Sequence, residues 1–144
     1  MNAPVALKLL AVEDSTSDVR ALKALLADAG AAFELQHVKT LQAAEVALAE
    51  TAFSVVLLDL GLPDADGVEN VERMRAVAPD AAIVVLTGRD DEGAALQALR
   101  SGAQEYLIKG AYDSDGLLRA INHAVERHRL MATPDMWLAV IGSA

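Results

Sequence analysis

The chain has 144 residues, 53% of them hydrophobic and 23% charged, which suits one domain with a core of its own. It holds no cysteine, which excludes disulfide frameworks, thiolate metal sites and cysteine nucleophiles and is compatible with a reducing cytoplasm. A formal net charge of −9 argues against direct contact with nucleic acid or an anionic membrane, and the longest apolar runs fall far short of the roughly 20 residues that a membrane span needs.

Leu7 to Glu13 reads as a first strand. Asp14 to Ser17 then supplies capping residues, and Val19, Leu22, Leu25 and Leu26 recur at helical spacing until Gly30 ends the helix. Phe33 to Val38 alternates apolar and polar residues, as a half-exposed edge strand does. A helix over 40–50 follows, with Leu41, Ala44, Val46 and Leu48 as its apolar set. Ser54 to Leu60 is a third strand, and a helix opened by Gly67 carries Val68, Val71, Met74 and Val77 before Pro79 closes it. Ala82 to Thr87 is a fourth strand, Asp90 to Ser101 a helix stopped by Gly102, and Glu105 to Ile108 a short fifth strand. The last helix runs from Ser114 to about Met131 with Leu117, Leu118, Ile121, Ala124 and Val125 as its stripe. The segment MNAPVALKLLAVED lacks the basic region and cleavage site of a signal peptide, so a cytoplasmic location is expected.

Five alternations of strand and helix, with central strands apolar on both faces, predict a doubly wound parallel sheet with helices on both sides. Among such sheets the flavodoxin-like order 2-1-3-4-5 is the expected one. Residues 1–131 are predicted to form this domain. Past the break at Thr133-Pro134, Met136 to Ile141 is apolar and contains the sole tryptophan, but has no place in five βα units. Residues 132–144 are expected to be a tail, or the start of a linker to an output domain not present in this sequence.

Ligands of a doubly wound sheet lie beyond the carboxyl ends of the strands where the winding reverses, here between strands 1 and 3. Strand 1 ends in Glu13-Asp14, and strand 3 ends in Asp59 within VVLLDLGLPDADG. Strand 4 ends in Thr87-Gly88, and Lys109 follows strand 5. Asp59 alone could equally cap its strand; its partners favour a site. Three crowded carboxylates repel one another unless cations offset them. Lys109 supplies one positive charge, and an all-oxygen, incomplete ligand set is what Mg²⁺ prefers. A carboxylate so placed can attack phosphorus to give an acyl phosphate. The metal and Lys109 would neutralise the transferring oxygens, Thr87 would hydrogen-bond one of them, and Gly88 would let the backbone approach.

The set Glu13-Asp14, Asp59, Thr87 and Lys109, with LDLGLPDADG and GAQEYLIKG around two of them, strongly resembles the response-regulator receiver domain of two-component signalling, over residues 7 to about 130. The resemblance implies a signalling switch, not an enzyme turning over external substrates. Asp59 would accept a phosphoryl group from a sensor histidine kinase or phosphotransfer protein. Mg²⁺ would be held by Asp14, by Glu13 partly through water, by Asp59 and by the Gly61 backbone carbonyl. Thr87 and Tyr106 match the family's switch pair. Its signal would leave through the fourth helix, fifth strand and fifth helix, a face with Arg100, Tyr106, Arg119 and Glu126 that is open to a partner or a second protomer. Gly61 and Arg89 sit where the family tunes phosphoryl lifetime. One departure stands out: Gly110 follows Lys109 where the family usually has proline. A cis bond before a non-proline residue costs about 2.5–4 kcal/mol, so Lys109-Gly110 is expected to be trans and its loop mobile.

Other readings fit less of the chain. A dehalogenase-type phosphatase needs a second aspartate at the position of Gly61, and a flavodoxin would find Glu13-Asp14 repelling its cofactor phosphate. A pseudo-receiver, a binding module never phosphorylated, has only Gly110 in its favour. Asp64-Ala65-Asp66-Gly67 resembles the opening of a calcium loop, but Arg75 occupies its twelfth position, so a turn and helix cap is expected. His37, His123 and His128 read as surface residues, and Asp90-Asp91-Glu92 as a charge run at a helix start.

Overall fold

A computed structural model describes residues 7–30, 32–64, 67–88 and 92–131. Ten elements alternate along it: β1 (Leu7–Val12), α1 (Thr16–Asp28), β2 (Phe33–Val38), α2 (Leu41–Glu50), β3 (Val55–Asp59), α3 (Glu69–Val77), β4 (Ala82–Thr87), α4 (Glu92–Arg100), β5 (Glu105–Ile108) and α5 (Ser114–Met131). The strands form one sheet in the order β2-β1-β3-β4-β5, every pairing parallel. This is the flavodoxin-like arrangement predicted from the sequence. The expected tail 132–144, Asp66, Arg89 and Asp90-Asp91 lie outside the described residues.

The runs LLAV, VVLL and IVVL are central strands because both of their faces are covered. Period-two alternation splits them between two cores. Leu10, Val12, Val56, Leu58, Ile83 and Val85 point to one side, where they meet Leu41, Ala44 and Ala47 of α2, Val71 and Met74 of α3, and Ala98 of α4. Leu9, Ala11, Val55, Leu57, Val84 and Leu86 point to the other, against Leu22 and Leu26 of α1 and Leu117, Ile121 and Ala124 of α5. Burying each such leucine or valine is worth about 1.5–3 kcal/mol. Two aliphatic cores thus clamp the sheet, and the polar ends of its strands gather at one rim.

Val46 departs from its expected place. It is 54% exposed, and Ala47 takes the inward position instead. Five residues beyond Leu41, Val46 stands about 140° round the helix from it, whereas Ala44 and Ala47 stay on one stripe. Among the described residues no helix is long and apolar enough to cross a membrane.

Candidate functional site

The registers bring the polar ends together. Val12 pairs with Leu58, so the next residues, Glu13 and Asp59, emerge side by side. Asp59 itself lies opposite Leu86, with Thr87 one step further on, and Thr87 lies opposite Ile108, directly before Lys109. The Lys109 amide donates to the Thr87 carbonyl at 2.8 Å, continuing the ladder past the strand end.

Glu13, Asp59 and Thr87 are buried, whereas Asp14 is exposed at the mouth. Glu13, Asp14 and Asp59 each offer an oxygen within 4.8 Å of the others. Oδ1 of Asp59 accepts the Gly61 amide at 3.0 Å, and Oδ2 faces the Lys109 ammonium at 3.4 Å. Oε1 of Glu13 accepts the Ser15 amide at 3.1 Å. Oε2 is fully buried and meets no aligned donor; its ion-pair partner is Lys109 Nζ at 2.7 Å. Among the described residues the Thr87 hydroxyl reaches only the Gly88 carbonyl, at 3.5 Å, the weak limit of a hydrogen bond, and so is poised to find a better acceptor.

Charge at this rim is unbalanced. Burial pushes the Glu13 carboxyl up to about 7, and the bonds from Lys109 and Ser15 only partly oppose it. Burial alone would lower the Lys109 ammonium, but Glu13, Asp18 and Asp59 together hold it above its ordinary value. Three carboxylates, Glu13, Asp18 and Asp59, face one ammonium, and a fourth, Asp14, lies within 4.8 Å of Glu13 and Asp59. An all-oxygen cluster with a buried, unaligned Glu13 oxygen suits a small hard dication, so the residues present fit Mg²⁺.

Two contributors escaped the sequence reading. Asp18, in the first turn of α1, binds Lys109 Nζ at 3.0 Å, closer than Asp59 does. Its place on a polar helix face looks the same in sequence as any solvated acid. His37 is not a plain surface residue: it is half-buried, and Nε2 donates to the Glu13 carbonyl at 2.6 Å, fixing the end of β1. A carbonyl can only accept, so that nitrogen carries the proton. His128, also half-buried, likewise reaches the Pro79 carbonyl at 2.7 Å. Tyr106 is half-buried against the core beneath α2 and α4. The Lys109-Gly110 peptide is trans, as expected, and Gly110 has φ +79, a left-handed turn that glycine adopts without strain.

The comparisons with known proteins agree with this geometry. A family model, the response regulator receiver domain, matches residues 9–122. The chain is 32% identical over 126 residues to the transcriptional regulatory protein ZraR of Klebsiella oxytoca, covering 88% of this chain but 28% of that regulator. It therefore spans well under two thirds of that relative's length. A crystal structure of a response regulator receiver domain protein from Clostridium thermocellum superposes with a TM-score of 0.75 at 28% identity, covering 87% of this chain and 98% of that one. The beryllofluoride-activated NtrC4 receiver domain dimer gives 0.73 at 33% identity, over 84% and 98% of the two chains.

Proposed function

This chain belongs to the response regulator receiver domain family, the phosphoacceptor signalling module of two-component regulators, and we propose that Asp59 is its phosphoacceptor. The observation that carries this reading is the asymmetry of the Asp59 carboxylate. Oδ1 is held by the Gly61 amide, while Oδ2 faces the Lys109 ammonium. Oδ2 is the attacking oxygen. Its electron pair forms the bond to phosphorus as the P–N bond of a phosphohistidine breaks, and the leaving imidazole keeps that bond's electron pair and takes a proton from solvent. Lys109 follows the negative charge onto the phosphoryl oxygens, and the Thr87 hydroxyl donates to one of them from the neighbouring strand. Glu13, Asp14, Asp59 and the Gly61 carbonyl are the groups that would hold Mg²⁺, which when bound neutralises charge on the transferring oxygens. Gly88 leaves room for the backbone to approach.

The donor is a sensor histidine kinase or a phosphotransfer protein. Thr87 and Tyr106 act as the switch, and the α4-β5-α5 face carries the signal to a partner, a second protomer or a linked output domain. The setting is cytoplasmic. Incubation with acetyl phosphate and Mg²⁺, followed by intact mass, tests the assignment. One phosphoryl group should add to the wild type and none to Asp59→Asn or to the wild type in chelator. Equal labelling of Asp59→Asn would overturn it.

A further inference from the structure

Lys109 has three carboxylates within reach, and they are not equivalent. Its ammonium is 2.7 Å from Glu13, 3.0 Å from Asp18 and 3.4 Å from Asp59. Glu13 and Asp59 belong to the acidic cluster that fits a metal ion, whereas Asp18 does not. A dication among Glu13, Asp14 and Asp59 would compete with the ammonium for two of its partners. Only Asp18 would keep its full charge for the lysine. The pair is not on a flat surface. It lines a cleft of about 120 Å³ between α1 and the turn after β5, together with Leu22, Leu25, Gly110 and Tyr112. Asp18 stands in the first turn of α1, where its backbone amide donates to the Ser15 side chain that caps the helix.

We propose that Asp18 is a positioning residue for the phosphoryl chemistry: it holds the Lys109 ammonium toward α1 and so sets how readily that charge reaches Asp59. The inference rests on Asp59 being the phosphoacceptor. Asp18 competes with the phosphoryl group for one lysine. Gly110, directly after the lysine, takes a left-handed turn, and a side-chain Cβ there would meet nothing within 4 Å. With the metal bound, removing the Asp18 charge frees the ammonium for the acyl phosphate. Without the metal, the same change removes a favourable ion pair.

Beryllofluoride binding under saturating Mg²⁺, measured by titration calorimetry, tests the first consequence. Asp18→Asn should bind about three- to five-fold more tightly than wild type, the size of a partly exposed ion pair, and Asp18→Glu should restore the wild-type value. Thermal melting in chelator tests the second. Asp18→Asn should lower the melting temperature in the wild-type background and leave it unchanged or raised in Lys109→Met, where only carboxylate repulsion remains. A general effect of charge at the start of α1 would instead appear equally in both backgrounds. Normal beryllofluoride binding by wild type with no change, or a loss, in Asp18→Asn overturns the role of Asp18 alone. Failure of the wild type to bind, or equal binding by Asp59→Asn, removes the phosphoacceptor reading and this inference with it.

Discussion

The carboxylate of Asp64 accepts the Leu41 amide at 3.0 Å, although the two residues belong to different βα units. Its second oxygen takes the Gln42 amide, also at 3.0 Å, and Thr40 Oγ1 takes that of Ala43 at 3.1 Å. Three free donors at the start of α2 are thereby satisfied, two of them by the loop that follows β3. The expected cap is present, but it serves α2 and not α3, whose own N-cap, Val68, has no side-chain bond. Asp64→Ala should cost about 1 kcal/mol at neutral pH, the usual worth of an N-cap. These two amide bonds hold the Asp64 carboxyl below its ordinary value. A depressed pKa stabilises the fold above the unfolded value and loses that stabilisation as pH falls through the folded one. The difference in melting temperature between wild type and Asp64→Ala should therefore be full at neutral pH and shrink once the pH drops below the ordinary carboxylate range. A difference that persists undiminished in acid would count against the cap.

Arg75 is the second long-range tie. Its guanidinium donates to the carbonyls of Ala81 at 2.7 Å and Gly102 at 3.1 Å, to Gln104 Oε1 at 2.8 Å, and more weakly to Pro79 and Ala78. Gln104 Oε1 in turn accepts the Ile83 amide, so one planar cation ties the end of α3 to the starts of β4 and β5. No carboxylate pairs with it among the described residues, and burial lowers its pKa. Lysine cannot reproduce this fork, because its three donors diverge from a point. Arg75→Met should lower the urea-derived stability by about 2–3 kcal/mol, leaving the Ala81 carbonyl without its donor. Arg75→Lys should recover less than half of that loss. Full recovery would mean that charge, and not the planar fork, is what the site needs.

These two ties mark where reading the sequence stops. The sheet was legible because doubly apolar strands alternating with helical stripes admit few arrangements. The rim was legible because each acceptor or cation sits at a strand end, where topology alone fixes its neighbours. Asp64, Arg75 and Asp18 act across 23 to 91 residues of sequence. Each lies on a loop or helix face where a solvated charge is the ordinary expectation, and nothing local distinguishes it. His37 escaped for the same reason: its partner is a backbone carbonyl, which leaves no mark on residue identity.

Asp14 offers a prediction free of competing roles. It could have served as the cap of α1, but that position is Ser15, whose Oγ accepts the Asp18 amide at 3.2 Å. Asp14→Asn should therefore remove only a charge from the acidic cluster. In chelator the variant should melt higher, by about 1 kcal/mol of stability, since carboxylates that close repel through partly aqueous surroundings. Its Mg²⁺ affinity, read by calorimetry, should fall at the same time. A variant that melts lower in chelator would show that Asp14 makes a favourable contact outweighing the repulsion.

A phosphoryl group on Asp59 would be felt beyond the acidic cluster. It adds up to two negative charges and three acceptor oxygens at the end of β3. The Thr87 hydroxyl, whose contact with the Gly88 carbonyl is a weak 3.5 Å, gains a strong bond by turning toward it. Thr87 is backbone-tied to Lys109, and Val85, two residues before it, pairs with Tyr106, so any shift at the end of β4 is felt by β5. Tyr106 is half-buried and can move inward as space opens beside Thr87. Both positions must lie within a few kcal/mol for one charge event to choose between them. Beryllofluoride with Mg²⁺, standing in for the acyl phosphate, should therefore alter amide exchange or self-association across α4, β5 and the first turns of α5, and not only around residues 13–14 and 59–61. Tyr106→Ala should weaken that remote response while leaving labelling of Asp59 by acetyl phosphate intact. If exchange changes only beside the acidic cluster, the Thr87–Tyr106 switch is wrong, even with Asp59 correctly assigned as the phosphoacceptor.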